Sequence, residues 1–345
     1  MLYVGIDVHK RWLQICVLDG EGNCLFQLRI ANTLESVVGY FEKVDRPAMV
    51  ALEACHNWGM LYDVLSDLGL EVRVCHAREA RLIGMASVKT DRIDALRLAT
   101  LLRADLLPQA YVPSGGTRQL RDLVRSRAGM RRVGTRIKNQ IHATLASNWI
   151  RHPYSDLFGK AGREFLQNAP LDGCRKRVVL CRLGVLDAVD EQISVLEAEI
   201  KRRAHLDFRA MLLTTVPGIG EFTALIVLAE IGEIGRFARA ECLVNFAGLH
   251  PREDSSGEKI RRNRITKEGS GWLRWVLVEA AQHAVRHDGK IRDLYLRVLA
   301  KKGHNKAIVA AARELLVSIY WMLVRMEPYR PSGKRESAAI TSEVR

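Results

Sequence analysis

Short apolar runs separated by polar breaks make up the start of the chain. Three of them follow one another, interrupted by the basic pair Lys10–Arg11 and by the turn-like sequence Asp-Gly-Glu-Gly-Asn at 19–23. Short apolar runs bounded by turn residues predict strands, and their close succession predicts an antiparallel meander. The three predicted strands are Leu2–Val8, Trp12–Leu18 and Cys24–Ile30.

Helical and strand-like patterns then alternate up to residue 104. Apolar residues spaced three and four apart predict helices, and continuous apolar runs predict buried strands. The predicted segments are a helix over 34–41, a strand at Met49–Ala54, a helix at Leu61–Leu68, a strand at Glu71–Cys75 and a helix at Asp91–Ala104. A meander followed by this alternation is the order of an RNase H-like sheet. Residues 1–110 are therefore predicted to form an α/β domain of that class.

Two long amphipathic patterns occupy the middle of the chain. Beyond the predicted linker Pro113-Ser-Gly-Gly116, residues 118–138 hold eight basic residues and one acid. The apolar seams are Leu120, Leu123, Met130, Ile137 and Ile141 in the first helix, and Leu183, Leu186, Ile193, Leu196 and Ile200 in the second. Such seams predict an antiparallel helical hairpin or a dimerising coiled coil at 114–205. A pair of solvated helices covering another domain is the alternative.

The last third of the chain predicts helices interrupted by one basic loop. Helical patterns run through 272–285, 291–300 and 307–324, and the loop covers 252–267. We therefore expect a mainly α-helical domain at 206–326. The polar remainder, 327–345, contains Pro, Gly and Ser and is predicted to be a disordered tail.

The composition narrows the functional classes. Lys and Arg number 53 against 39 Asp and Glu, a formal charge of +14. This excess predicts attraction to polyanions, nucleic acid first, although a basic housekeeping enzyme has the same charge. No continuous apolar run reaches the roughly 20 residues of a membrane span, and the first residues lack the layout of a secretory signal. Seven cysteines without a C-x-x-C pair suit reduced thiols, so we expect a cytoplasmic protein.

Four acidic residues are candidates for chemistry. Asp7 interrupts the first strand and Glu53 ends the fourth, where an unpaired buried carboxylate is costly. Asp91 and Asp94 are three residues apart, so they share one face near a helix start. Such an oxygen-rich cluster suits Mg²⁺ or Mn²⁺, and two ions about 4 Å apart can clamp the oxygens of a phosphodiester. N-capping by Asp91 and solvation of Asp94 are the alternative roles.

The basic loop contains a candidate nucleophile. Ser256 stands between Ser255 and Gly257, followed by five basic residues and a single acid. A serine surrounded by guanidinium groups can attack a phosphodiester, although Ser-Ser-Gly is also an ordinary flexible loop. The basic run itself predicts phosphate binding. Its residues are Lys259, Arg261, Arg262, Arg264 and Lys267.

The order of several short motifs resembles one known family. They are Val4-Gly-Ile-Asp7-Val-His-Lys10, Ala51-Leu-Glu53-Ala, Lys89-Thr-Asp91-x-x-Asp94-Ala, Val216-Pro-Gly-Ile-Gly220, Phe246-Ala-Gly-Leu-x-Pro251-Arg, Ser256-Gly257 and Ile265-Thr-Lys267-x-Gly-Ser-x-x-Leu273-Arg274. In this order, over about residues 2–325, the chain is similar to the DEDD transposases of insertion-sequence family 110, the bridge-RNA-guided recombinases. One departure is Ser270, where the family often has Asn.

The resemblance implies that the catalytic residues are divided between two domains. It implies a RuvC-like N-terminal domain whose metal-binding tetrad is Asp7, Glu53, Asp91 and Asp94. It also implies a C-terminal transposase domain whose serine, five residues beyond Pro251, is Ser256. Ser255 is an additional serine directly before it. The implied serine forms a covalent protein–DNA intermediate, in a composite site that joins the acids of one subunit to the serine of another.

The resemblance also implies partners. A structured guide RNA would pair with element-end and target DNA, and homodimers joined by the coiled coil would assemble into a tetramer. The basic helix is then a predicted RNA- or DNA-binding surface, through Arg118, Arg121, Arg125 and Arg132.

We therefore expect a bacterial site-specific recombinase that excises and inserts an insertion sequence. A RuvC-like nuclease or junction resolvase is the alternative enzyme, since it uses the same acids for hydrolysis without a serine. A non-catalytic nucleic-acid-binding protein is a further alternative. An actin-like ATPase shares the early meander but requires a second phosphate loop, which the sequence lacks.

Overall fold

The chain folds into two compact units, Met1–Gly115 and Gly116–Arg345. The computed structural model describes residues 1–54, 57–76, 79, 90–256 and 259–331, and between 252 and 264 it describes the backbone alone. The finer division into a middle and a C-terminal domain at residue 206 stays a prediction.

A five-stranded mixed sheet forms the centre of the first unit. Its strands are β1 (Leu2–Val8), β2 (Trp12–Leu18), β3 (Cys24–Ala31), β4 (Ala48–Glu53) and β5 (Glu71–Cys75). The sheet order is β3-β2-β1-β4-β5, with antiparallel pairing within the meander and parallel pairing of β1, β4 and β5. This arrangement confirms the predicted α/β class, and the RNase H-like assignment stays a prediction.

Helices cover both faces of this sheet. They are α1 (Leu34–Phe41), α2 (Trp58–Asp67) and α3 (Asp91–Arg103). Phe41 of α1 and Leu65 of α2 pack with β1 and β2 in one apolar cluster, whereas Leu98 and Leu102 of α3 pack in another. Because both faces are covered, β1 and β2 are buried along most of their length rather than at alternate residues.

The second unit is mostly helical. Its helices are α4 (Gly115–Ala146), α5 (Lys160–Asn168), α6 (Gly173–Leu206), α7 (Phe208–Thr214), α8 (Glu221–Ile231), α9 (Ala240–Phe246), α10 (Gly271–His287), α11 (Gly289–Lys302) and α12 (His304–Arg325). A two-stranded hairpin, β6 (Pro251–Ser256) and β7 (Lys259–Ile265), interrupts them. The prediction of a loop over 252–267 is wrong for most of this segment. The backbone forms an antiparallel ladder there, in which Pro251 pairs with Ile265 and Ser256 pairs with Lys259.

The long helices α4 and α6 pack against each other in antiparallel orientation. Arg127 pairs with Glu197, whereas Arg182, earlier in α6, donates to Thr144 Oγ1, later in α4, at 2.8 Å. Side chains of the predicted seams are buried together between them. Those buried side chains include Ile137, Ile141, Leu183 and Leu186. A supercoiled geometry and pairing with a second chain stay predictions.

The remaining helices surround one large apolar core. Of these, α12 has the length and apolarity of a membrane span, but 56% of its apolar stretch is buried within the unit, as in a core helix. The sequence prediction differed because the charged pair Arg313–Glu314 breaks the continuous apolar run. The start of the predicted tail also packs here, since Tyr329 donates to Asp288 Oδ2 at 2.6 Å. Residues 332–345 lie outside the described range.

Candidate metal centre and serine hairpin

Asp7 and the start of α3 meet because a glycine lets the helix lie directly on the sheet. At Gly5 a Cβ would stand 2.1 Å from the carbonyl oxygen of Ala95 and 2.5 Å from the amide nitrogen of Ala99. Only glycine tolerates this approach of two backbones. Thr90 caps the helix by accepting from the amide of Ile93 at 3.3 Å. The first turn of α3 therefore lies beside the end of β1.

A histidine joins two of the predicted acids. His9 Nε2 lies 3.0 Å from Asp7 Oδ2 and 3.4 Å from Asp91 Oδ1. One potential ligand atom from each of these residues lies within 4.8 Å of the other two. His9 was not among the predicted site residues, although strand alternation puts residues 7 and 9 on one face of the chain. That two-residue spacing was the signal available.

Two arginines accompany the acids. Arg29 Nη2 lies 3.2 Å from Asp91 Oδ2, and Arg97 Nη2 lies 2.7 Å from Asp94 Oδ1. The Asp94 side chain is only 14% exposed. Both aspartates are thus held by cations as well as by the helix start, where partial positive charge favours an acid.

The electrostatics of Asp7 favour a bound cation. Burial raises the pKa of the Asp7 carboxyl, the contact with His9 lowers it, and the carboxylates of Asp94 and Asp91 raise it further. The net shift is upward. An ionised Asp7 is therefore disfavoured in the metal-free protein, and a divalent cation would offset that cost.

Glu53 ends β4 at the same edge of the sheet. Ile6 pairs with Leu52 in parallel register, so the next residues along the two strands are Asp7 and Glu53. Glu53 also pairs with Cys75 of β5, whose thiol pKa is raised to about 11 by burial and then by the Glu53 carboxylate. Within the described part of the chain, the group of mutually close ligand atoms contains Asp7, His9 and Asp91, without Glu53 or Asp94.

Carboxylate oxygens are the ligands that Mg²⁺ and Mn²⁺ prefer, so the donor set fits such an ion. The four predicted acids lie at two neighbouring strand ends and one helix start, all in the first unit. Their joint position requires the parallel register of β1 with β4 together with the seating of α3 on Gly5.

Ser256 is the last residue of β6. The backbone pairs Ser256 with Lys259, Asp254 with Arg261 and Glu253 with Arg262. Side-chain positions in this hairpin, including those of Arg264 and the neighbouring Ser255, lie outside the described part of the structure. Lys267 follows β7, is exposed and has a left-handed backbone with φ of 56°.

The base of this hairpin is tightly built. A Cβ on Gly248 would stand 2.3 Å from the carbonyl oxygen of Glu268, and one on Gly269 would stand 1.9 Å from that of Phe246. Both glycines also have positive φ. Ser270, just after the hairpin, caps α10 by accepting from the amide of Leu273 at 3.1 Å. The chain segments entering and leaving the hairpin are therefore in backbone contact.

The sequence matches known transposase families in both halves. Residues 4–150 match the DEDD transposase family of IS110 elements, and residues 210–296 match the family described as "Transposase IS116/IS110/IS902 family". The transposase for insertion sequence element IS1111A of Coxiella burnetii is 27% identical, with 95% of this chain and 91% of the relative covered. The transposase for insertion sequence element IS1328 of Yersinia enterocolitica is 24% identical, with 93% and 96% covered.

The chain belongs to the IS110 family of DEDD transposases. It is therefore an enzyme that acts on DNA, and the family indicates a divalent metal cofactor. A shorter match joins this transposase to the pilin gene-inverting protein of Moraxella lacunata, at 32% identity over 36% of this chain and 40% of that protein.

Two of the predicted nucleic-acid-binding arginines have partners inside the second unit of the transposase. Arg121 donates to the carbonyl oxygens of Ala229 and Glu230 at 2.6 and 3.1 Å. Arg125 donates to both carboxylate oxygens of Glu230 at 2.8 and 2.9 Å. These contacts hold α4 against the end of α8. Sequence pattern missed them because the partners lie over 100 residues apart.

The other two predicted arginines of α4 are Arg132, which lies beside two tryptophans, and Arg118, which lies at the start of the helix. The Arg132 guanidinium lies 4.2 Å from the ring centroid of Trp272 and 5.7 Å from that of Trp275, although the residue as a whole is exposed. Arg118 is half-buried at the start of the helix. A nucleic-acid contact by any of the four arginines stays a prediction.

Proposed function

We propose that this transposase is a site-specific DNA recombinase that excises and inserts its insertion sequence, using a RuvC-like acidic site and Ser256. The observation that carries the proposal is the meeting of Asp7 and Asp91 at one edge of the sheet, with ligand atoms within 4.8 Å. Asp7, Glu53, Asp91 and Asp94 would hold Mg²⁺ or Mn²⁺. Such an ion, when bound, supplies positive charge to a phosphodiester.

The serine step conserves the energy of the phosphodiester. Ser256 Oγ forms a bond to phosphorus, and the bond from that phosphorus to one deoxyribose oxygen breaks. The serine proton ends on the leaving oxygen as a new hydroxyl. In the reverse step a hydroxyl of the incoming strand attacks the phosphorus, and Ser256 leaves as a free hydroxyl again. Arg261, Arg262 and Arg264 would stabilise the charge that develops on the phosphate.

The inverting relative supports recombination over hydrolysis. Inversion of a gene, which its name attributes to the Moraxella protein, requires that each cleaved strand be joined to a new partner. A hydrolytic nuclease with the same acids would leave the strands open. The alternative enzyme is therefore distinguished by its products rather than by its acidic site.

Guidance by RNA and assembly of subunits complete the proposal. The charge of +14 supports a polyanionic partner, and a structured guide RNA would select element-end and target DNA. Homodimers joined through α4 and α6 would assemble into a tetramer, in which the acids of one subunit meet the serine of another. The protein would act in the bacterial cytoplasm and associate with the nucleoid while active.

A plasmid assay tests this function. The full chain, purified with its co-expressed element RNA, receives Mg²⁺ and a plasmid carrying both element ends. We expect a sealed excision junction from the wild type and none from Asp91→Asn, while RNA binding is retained. Glu35→Gln is the matched control, because Glu35 is also a first-turn acid in the same unit but lies on α1. Linearised plasmid without sealed junctions would favour the nuclease instead.

A further inference from the structure

His9 occupies the point where the acids of β1 and α3 converge. Its Nε2 atom lies 3.0 Å from one oxygen of Asp7 and 3.4 Å from one oxygen of Asp91. The side chain is 35% exposed, so one side of the cluster is open to solvent and to a ligand. Two carboxylates from different elements therefore share one imidazole nitrogen.

The position of His9 is fixed by its surroundings. The amide of His9 donates to the carbonyl oxygen of Trp12 at 3.0 Å, and Asn32 Nδ2 donates to the carbonyl oxygen of His9 at 2.8 Å. The imidazole lies beside the Trp12 ring, with centroids 5.4 Å apart, and Arg29 covers that indole at 4.9 Å. Backbone and ring are thus held before any ligand binds, which lowers the entropic cost of binding.

The separations of the three atoms suit joint coordination. Neighbouring ligands of a six-coordinate ion with bonds of about 2.1 Å stand about 3 Å apart. The observed distances from Nε2, 3.0 and 3.4 Å, are close to this value. Small shifts would therefore suffice to place one ion in contact with all three residues.

We propose that His9 is a direct ligand of the divalent ion, and that this nitrogen makes the site favour Mn²⁺ over Mg²⁺. The proposal rests on the metal-binding acidic site of the proposed function. Mg²⁺ prefers oxygen ligands and releases its waters reluctantly, whereas divalent transition metals accept imidazole nitrogen more readily. A site that adds one imidazole to its carboxylates therefore discriminates between the two ions more strongly than carboxylates alone do.

The test uses Mn²⁺ itself as a spectroscopic probe in the full-length protein. Pulsed electron paramagnetic resonance detects ¹⁴N coupling when an imidazole nitrogen binds Mn²⁺ directly. We expect this coupling in the wild type and its loss in His9→Gln. The affinity for Mn²⁺ should fall about 10-fold or more in that variant, as is typical when a metal site loses a supporting group. The affinity for Mg²⁺, read by competition, should change by less than about 2-fold.

Two further variants distinguish a failure of the proposed role of His9 from a failure of the acidic site. His205→Gln, at an exposed histidine of α6, should keep the ¹⁴N coupling and both affinities. Mn²⁺ binding that is lost in Asp91→Asn but never shows ¹⁴N coupling would overturn the role of His9 and leave the acidic site intact. Mn²⁺ binding that is indifferent to Asp91→Asn would overturn the acidic site itself, and with it the proposed function.

Discussion

The guanidinium of Arg125 holds the carboxylate of Glu230 with two hydrogen bonds of 2.8 and 2.9 Å. The Glu230 side chain is 3% exposed, and Ser270 donates a third hydrogen bond to it at 2.8 Å. Because Ser270 directly follows Gly269 at the hairpin base, this pair links α4 to the segment that carries Ser256. The buried carboxylate of Glu230 thus joins α4 to the residue that caps α10, just beyond the base of the hairpin.

Removing Arg125 should destabilise the second unit. Arg125→Ala leaves the Glu230 carboxylate buried without its cation, a loss worth about 3 kcal/mol. We take the lower end of the usual range because the Arg125 side chain is 40% exposed. Denaturant unfolding gives the free-energy change. Arg131→Ala, on the same helix but in a longer, exposed pair with Asp190, should change stability by less than about 1 kcal/mol. Equal losses in both variants would contradict the buried pair.

Gly5 should be irreplaceable for the acidic site. In Gly5→Ala the new Cβ meets backbone atoms of Ala95 and Ala99, so α3 has to move away from β1. We expect a loss of about 1–3 kcal/mol of stability, together with loss of divalent-metal binding measured by titration calorimetry. Gly39→Ala is the control, since among the described residues no atom beyond its chain neighbours and its own helix backbone lies within 4 Å of the added Cβ, and Ala favours a helix. Unimpaired metal binding in Gly5→Ala would show that the seating of α3 does not place Asp91.

The ionised carboxylate of Asp7 should lower the stability of the folded protein when no metal is bound. The raised pKa of its carboxyl means that stability from the protonated form is present below the unfolded pKa, near 3.8, and is lost as pH rises through the folded pKa. Above the folded pKa the cost is complete. Asp7→Asn should therefore melt at a higher temperature than the wild type without metal. Added Mg²⁺ should raise the melting temperature of the wild type alone. A variant that melts lower without metal would contradict the unfavourable charge.

The hairpin arginines should account for part of the salt dependence of DNA binding. Each phosphate contact contributes about 0.9 to the slope of log K against log salt. Replacing Arg262 and Arg264 by Ala should thus reduce the slope by about 1.8, measured by fluorescence anisotropy. Arg202→Ala with Arg203→Ala removes two charges that pair with Glu199 on α6, and should leave the slope unchanged. An equal effect of both pairs would assign the change to net charge alone.

The sequence predicted the local elements well but missed the contacts between distant segments. The strand pattern identified β1, β2 and β4 because these strands are buried along most of their length and are correspondingly apolar. The basic pattern of α4 was interpreted as a nucleic-acid surface, yet Arg121 and Arg125 contact the end of α8. Charge along a helix does not reveal which cations meet a distant buried acid.

The acidic site was only partly visible in the sequence. Asp7 and Glu53 stand out because each breaks an apolar strand, and Asp91 and Asp94 share a helix start. Their convergence depends on Gly5 and on the parallel register of β1 with β4, which no local pattern encodes. His9 could have been noticed from its spacing to Asp7, but its contact with Asp91 requires the folded position of α3.

The most direct test of the central claim is a search for a covalent protein–DNA adduct on a denaturing gel. The transposase, purified with its RNA, receives Mg²⁺ and labelled element-end DNA, beside Ser256→Ala and Ser255→Ala. We predict an adduct in the wild type and in Ser255→Ala, and none in Ser256→Ala. Cleavage without an adduct, unaffected by either substitution, would contradict serine recombination and identify a hydrolytic nuclease.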